Sequence, residues 1–432
     1  MTGITKYFTG LIGFFVFGFS THTAAQEVTL RHALDGKAQD ALASLVLRFN
    51  DNLKGQQARV VLRDARNLDQ KSPLPVLALL DEDDSASFFA TRPPYLPLSK
   101  LMQDSGLPLD PGIFYPQMLD AVADRAGQPQ ALPMGMSLPV LLINRKLVPS
   151  AAKSFDSSPR TWYDVQTLAG TLADSGVKCP LTSSRFNWVH FENTSAQHGE
   201  SMITQLGRLE KTKANGLMNV KHLALLASWE KSRYFTYFGP NTEANQRFLR
   251  GECAMITGES SLYTLARDAG MDVTLAPLPY YEDVYGAQRD RVLPDGAALW
   301  AFPGHPKATT ILAARFVNFL LQPENQKDWV RASGSLPMTP QGLQALRDAG
   351  IPPALADAAD RRLSTPATNN SRPRVGALRD RLHLALNEQV ALVWSTPLSA
   401  KQALDTATLQ ANSSPPGGAK KPAVAKKTKR HK

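Results

Sequence analysis

Few groupings in this chain have the residue types and spacing that covalent chemistry needs. Gly135-Met136-Ser137-Leu138-Pro139 sets a serine in a turn-like run, but a nucleophile elbow requires glycine where Pro139 stands. There is no glycine-rich phosphate loop after a strand, no HExxH helix and no calcium-binding loop. His190 and His198 form the closest internal histidine pair, and a spacing of eight suits hydrogen-bonded side chains better than a shared metal ion. Acidic residues are plentiful, yet no spacing marks an acid–base pair. Glu82, inside Asp81-Glu82-Asp83-Asp84, reads by composition alone as part of a solvated loop. Arg374 has Arg372 and Arg379 for neighbours, so its plain reading is an exposed basic face. Cys179 and Cys253 are the only cysteines. They are too few for a metal site, and either bridge each other in an oxidising compartment or pack as two small buried hydrophobes. A bridge would stabilise the fold by about 4 kcal/mol on the chain-entropy model. With no catalytic signature, no metal motif and no cofactor motif, the residues favour a binder over an enzyme.

The elements that must position such a site belong to a large folded chain. At roughly 100–200 residues per domain, the length predicts two or three domains, or two lobes sharing the chain. The net charge is +10, but seven basic residues lie between Lys420 and Lys432, which leaves +3 for the rest. That gives no case for a nucleic-acid partner. The last residues, 413–432, have no large apolar side chain except Val424 and are expected to form a disordered basic tail, solubilising or attracted to an anionic surface. At the other end, residues 1–25 have a secretory signal layout: Lys6, a fourteen-residue apolar run from Tyr7 to Ser20, and small residues before an expected cleavage near Ala25. A bilayer span needs about 20 apolar residues, so this run is read as a leader and the protein as exported to a periplasm.

Strand patterns alternate with helical ones. EVTLRHAL (27–34) reads as a strand and Gln39–Asn50 as a helix with Leu42, Leu45, Val46 and Phe49 on one face. Arg59–Leu62, Leu74–Leu80 and Leu138–Asn144 read as further strands. Thr161–Asp174 is a helix opened by a Thr-x-x-Asp cap, Lys221–Lys231 is another, and Ala308–Leu321 carries a core stripe of Ile311, Leu312, Phe316, Phe319 and Leu320. This alternation predicts an α/β fold with largely parallel pairing.

Several segments then carry a resemblance. They are LPMGMSLPVL (132–141), Asn187-Trp188 with Glu192–Ala196, FLRGECAM (248–255), Gly296–Trp300, Gln322–Asn325, Gly334–Thr339 and QALDTA (402–407), and they occur in this order. Together they resemble the extracellular solute-binding proteins of ABC importers, and among these the glycerol-phosphate-binding branch, over about Gln26 to Ala411. The resemblance implies a two-lobed periplasmic-binding-protein-like fold (type II) whose lobes are joined by crossing hinge segments and close around a ligand. One lobe is expected at 26–136 plus 274–330, the other at 137–273 plus 331–412. It also implies a small glycerol-phosphate-type ligand, permease subunits with a cytoplasmic ATPase as partners, a monomer, and no cofactor.

The same resemblance places the ligand residues. Arg374 falls on the family's phosphate-binding arginine, whose planar donors match two phosphate oxygens at once. Glu82 falls on a glutamate that accepts from glycerol hydroxyls, Ser137 and Ser260 (or Ser261) on hydroxyl donors, and Gly296 on a backbone N–H donor. Trp188 falls on an aromatic cleft wall. Ser335 stands where the family has a tyrosine, Arg185 replaces a second cleft tryptophan, and an early tyrosine has no counterpart between Arg63 and Pro73. These departures extend the expected ligand from sn-glycerol 3-phosphate to a bulkier glycerophosphodiester. The rival readings are the same fold binding an uncharged sugar or oligosaccharide, and an exported phosphodiesterase or envelope-associated protein.

Overall fold

The computed structural model describes residues 26–64, 73–89, 93–124, 126–149, 159–206, 209–348, 350–365 and 377–413. The expected leader lies outside them, as does the basic tail apart from Ser413. The described residues form twelve strands: β1 (Gln26–His32), β2 (Ala58–Asp64), β3 (Leu77–Leu80), β4 (Leu132–Ser137), β5 (Pro139–Asn144), β6 (Leu181–Ser183), β7 (Ile203–Leu206), β8 (Leu209–Thr212), β9 (Phe235–Thr236), β10 (Met255–Glu259), β11 (Val273–Pro277) and β12 (Asp295–Ala301). They form two five-stranded sheets, ordered β2-β1-β3-β12-β4 and β11-β5-β10-β6-β9, and a β7-β8 hairpin. Each sheet with its helices makes one α/β lobe of the two expected.

Of the eight pairings in the two sheets four are parallel and four antiparallel, short of the largely parallel pairing expected, because each sheet holds one reversed strand. β12 runs antiparallel to β3 and β4, and β5 runs antiparallel to β10 and β11. The reversal follows from the crossings. β4 ends at Ser137, the chain crosses at Leu138, and β5 must start at the edge facing the other lobe and run away from it. β11 ends at that same edge, and the chain returns to open β12 at Asp295. The sheet edges that face each other therefore collect Leu80, Ser137, Glu259, Pro277 and Asp295. Carboxyl ends of strands are where open α/β sheets hold ligands.

Two lobe boundaries differ from expectation. β11, expected to belong from residue 274 to the first lobe, pairs in register with β5, Val273 opposite Asn144 and Pro277 opposite Val140, so the crossing follows Pro277. The return after residue 330 is also not abrupt. Pro323–Ser333 is one helix whose Trp329 indole N–H donates to Met134 O at 2.6 Å, and Leu336 N–H donates to Met136 O at 2.7 Å. The helix Pro353–Ser364 then touches both lobes: Tyr115 O–H donates to Asp360 at 2.6 Å, and the Arg362 guanidinium donates to Val292 O.

Local signals explain most elements. Helix Gly36–Asp51 buries the expected Leu42, Leu45, Val46 and Phe49, and the Phe49 ring meets Phe316 and Phe319 of helix Lys307–Leu320 at 5.0 and 5.4 Å. Helix Trp162–Asp174 opens on a full capping box: Asp164 N–H donates to Thr161 Oγ1 and Thr161 N–H to the Asp164 carboxylate. Helix Leu217–Lys231 begins one turn earlier than the sequence suggests, after Gly216. Strand β3 starts at Leu77 rather than Leu74, as fits Pro75, which has no N–H to give a ladder.

Cys179 and Cys253 are joined in a disulfide. They stand just before the parallel neighbours β6 and β10, where Ala254 N–H donates to Cys179 O at 2.9 Å, so the bridge ties the strand entries together.

Candidate functional site

Between the facing sheet edges lies a set of buried charges. Asp295, first residue of β12, is at its centre. Arg379, on the first turn of helix Ala377–Ser395, donates to Asp295 and holds Glu192 with two nitrogens, at 3.1 and 3.0 Å. Arg185 donates to Glu259 at 2.9 Å, reaches within 4.0 Å of Asp295, and lies 4.6 Å over the Trp188 ring. Side-chain exposure is 5% for Arg185, 6% for Asp295, 8% for Glu192 and 14% for Arg379, so solvent and salt screen these pairs little. Arg185 adopts φ +49, in the left-handed region unusual for a residue with a Cβ, immediately after β6. Charge from both lobes thus converges on one carboxylate at the crossing.

The residues expected to contact ligand group around this centre with altered roles. Ser137 closes β4 directly opposite Asp295 and is buried. Gly296 faces Met136, and a Cβ there would meet Gly135 O at 2.1 Å, so glycine is required for β12 to lie against β4. Its N–H, expected to serve a ligand, donates to the Asp295 carboxylate at 2.7 Å. Ser260 precedes helix Ser261–Asp268. Its N–H donates to Leu138 O, and its hydroxyl accepts from Leu138 N–H at 3.1 Å, which pins the crossing and leaves the hydroxyl proton for another acceptor. Ser335 is buried in the segment after helix Pro323–Ser333, its N–H donating to Ser333 Oγ at 3.2 Å.

Trp188 is fully buried in a π-helical turn (Trp188–Asn193), with its N–H on Leu293 O at 2.9 Å and its face covered by Arg185. It therefore supports the charge centre and does not present an open wall. Glu82 is the first residue of helix Glu82–Phe89, right after β3. The acidic run is a helix start, with Asp81 accepting from Asp84 N–H at 2.8 Å, because carboxylates suit helix N-termini. The Glu82 side chain and all of Arg374 lie outside the described residues.

Sequence reasoning missed Glu192, Glu259 and Asp295 as partners, and named Arg379 only as a basic neighbour of Arg374. The available signal was charge placed inside apolar runs, in SRFNWVHFEN (184–193) and DGAALWA (295–301).

Two recesses flank the centre. One of about 40 Å³ lies beside helix Glu82–Phe89 and touches Gly296, Trp300, Arg379 and His383. The other, about 590 Å³, touches Leu138, Ser260 and Leu336. Among the described residues no group of three or more His, Cys, Asp or Glu is placed to hold a metal ion, and no helix is long and apolar enough to cross a membrane.

A second buried polar group lies inside the second lobe. His190 Nδ1 and His222 Nε2 are 2.8 Å apart, His222 Nδ1 meets the Tyr281 hydroxyl at 2.8 Å, and the Thr257 hydroxyl meets His190 Nε2 at 3.3 Å. Burial pushes His222 down to about 3, with His198 and Lys221 adding to it, and holds His190 well below the ordinary histidine range. Both rings are neutral at pH 7. His198 bonds Thr194 O at 2.6 Å and the backbone of Tyr281.

Comparison with known proteins agrees with this architecture. Residues 65–353 match the family model described as bacterial extracellular solute-binding protein. The sn-glycerol-3-phosphate-binding periplasmic protein UgpB of Pectobacterium atrosepticum is 28% identical over 90% of this chain and 91% of its own, and that of Escherichia coli K12 is 27% identical over 90% and 92%. Among solved structures, maltose-bound MalE3 of T. maritima superposes with a TM-score of 0.68 at 16% identity, covering 89% of this chain and 98% of that one. The cyclic α-maltosyl-1,6-maltose-binding protein of Arthrobacter globiformis gives 0.64 at 18% identity, with the same coverage. At these identities the two structures speak for the two-lobed fold alone.

Proposed function

The chain belongs to the bacterial extracellular solute-binding proteins, and on that premise we propose that it captures sn-glycerol 3-phosphate or a glycerophosphodiester between its lobes and delivers it to the permease of an ABC importer. The observation that carries this reading is the match to glycerol-3-phosphate-binding relatives along nine tenths of both chains. The site supports it: two arginines are buried where the lobes meet, and a guanidinium suits a phosphate because its donors address two oxygens together. Arg374 is proposed as the main phosphate ligand, with Glu82, Ser137, Ser260 and Ser335 around it. Asp295 now occupies both arginines and the Gly296 N–H, so a phosphate entering here takes over donors that a carboxylate holds in its absence. The exported chain works in the periplasm as a monomer, with no covalent step.

Thermal-shift measurements against glycerol 3-phosphate, glycerophosphodiesters and uncharged sugars test the reading. A ligand at a hundred times its Kd adds about 2.7 kcal/mol of stability, and the phosphorylated glycerols are expected to give that shift while sugars give none. Arg374→Ala is expected to lose about 2–5 kcal/mol of binding, the cost of leaving a desolvated anion unpaired. A shift with uncharged sugars alone, unaltered by Arg374→Ala, overturns the proposal.

A further inference from the structure

The 590 Å³ cavity is left unused by the glycerol-phosphate reading. It lies at the crossings themselves, walled by Leu138 of the first crossing and by residues 288–292 of the second. Val140, Leu275, Leu278, Leu336, Leu346 and Ile351 make its apolar surface. Four arginines also line it, Arg289, Arg291, Arg361 and Arg362, against one acid, Asp290, among the described residues. Arg362 is anchored on Val292 O, whereas Arg289, Arg291 and Arg361 make no side-chain ion pair among the described residues. The Arg289 Nε is buried with no hydrogen-bond partner there. Burial, with Arg160 adding to it, holds that guanidinium below its ordinary pKa, a strain that an anion beside it would relieve.

Resting on the reading given above, we propose that the solute is a phosphate ester carrying a short aliphatic or aryl group, and that this cavity receives the apolar group with arginines at its rim. Pockets on the order of 300–1,000 Å³ hold drug-sized ligands, a size that glycerol 3-phosphate alone leaves mostly empty. The recess beside Arg379, about 40 Å³, is too small to hold such a group. Ser260 borders the cavity and is among the proposed ligand residues, so it joins the apolar chamber to the phosphate end of the site. Because two crossings wall the chamber, its occupant also touches the segments that move when the lobes close.

Isothermal titration of the purified protein with glycerol 3-phosphate, hexanoyl glycerol 3-phosphate and monohexanoylglycerol tests this. The hexanoyl phosphate is expected to bind at least roughly tenfold tighter than glycerol 3-phosphate, the gain from burying two methylenes, and the uncharged ester to give no measurable heat. Leu346→Trp, which narrows the chamber, is expected to reduce the preference while glycerol 3-phosphate binds as before. Arg361→Ala, at an exposed helix position, is expected to weaken the hexanoyl phosphate about tenfold. Equal affinity for the two phosphates, or a preference unchanged by Leu346→Trp, overturns the inference and leaves the proposed function standing. Binding of neither phosphate, with binding of an uncharged sugar, overturns the proposed function beneath it.

Discussion

One short segment, residues 185–198, supplies two buried polar groups of opposite design. Arg185 and Glu192 join a charged group whose partners come from both lobes: Asp295 from the first sheet, Glu259 from the second, and Arg379 from the helix packed beside them. His190 joins a group without net charge whose partners, His222, Tyr281 and Thr257, all belong to the second lobe. The charged group sits where the two sheet edges face each other, the place proposed for the solute. The neutral one sits where nothing separates. Ion pairs in low dielectric gain little over apolar packing, so their retention at the crossing points to a job beyond stability, whereas the histidines behave as satisfied core polar groups. The comparison predicts that damage to the first group changes stability and ligand response together, and damage to the second changes stability alone.

The hardest blow is Asp295→Ala. It takes from Arg379 the carboxylate it holds beside Glu192 and from Arg185 a carboxylate beside Glu259, and removing one member of a buried ion pair costs about 3–5 kcal/mol. Urea unfolding measures the loss. Inorganic phosphate is expected to restore stability to this variant more than it raises the parent, because an anion replaces the missing carboxylate. A variant as stable as the parent would show that the charged group carries nothing.

The neutral group predicts a pH effect instead. His222 titrates near 3 in the folded chain and near 6.5 when unfolded, so its contribution is complete above about pH 6.5 and is lost as pH falls toward 3, where the unfolded chain takes up protons that the folded chain refuses. The loss is on the order of a few kcal/mol in all, visible between about pH 7 and pH 4.5 as a falling urea midpoint. His222→Gln removes the titrating ring and is expected to flatten that slope; an unchanged slope would place the acid sensitivity elsewhere, in the charged group included.

Much of this was legible beforehand, for reasons the residues make plain. Helix stripes such as Leu42-Leu45-Val46-Phe49 and the Thr161-x-x-Asp164 cap are local signals, and local signals survive folding. The resemblance fixed the order of the lobes. The exact crossing points were not legible, because β11 reads the same whichever sheet accepts it; only its register with β5 decides. Nor were the partners of Arg185 and Arg379, since Glu192, Glu259 and Asp295 are far apart in the chain and meet only through the crossing. Trp188, expected as an aromatic wall of the cleft, lies buried instead: Arg185, seen only as a replacement for an aromatic, is the group that covers it.

The smallest effects give the sharpest contrast, because Glu259 and Thr257 lie two residues apart on the same face of β10 and serve different groups. Glu259→Gln keeps the shape and removes the charge that Arg185 meets at 2.9 Å. Its side chain is 22% exposed, so the expected cost is modest, about 1–2 kcal/mol. Thr257→Val removes the hydroxyl that meets His190 at 3.3 Å, at about 1 kcal/mol. Stability alone hardly separates the two. The melting shift caused by a phosphorylated glycerol does: it is expected to change in Glu259→Gln, where Arg185 is freed toward an incoming anion, and to stay at the parent value in Thr257→Val. Equal ligand responses in the two variants would mean that the charged group is core architecture like its neighbour, and that the solute is held by other residues of the cleft.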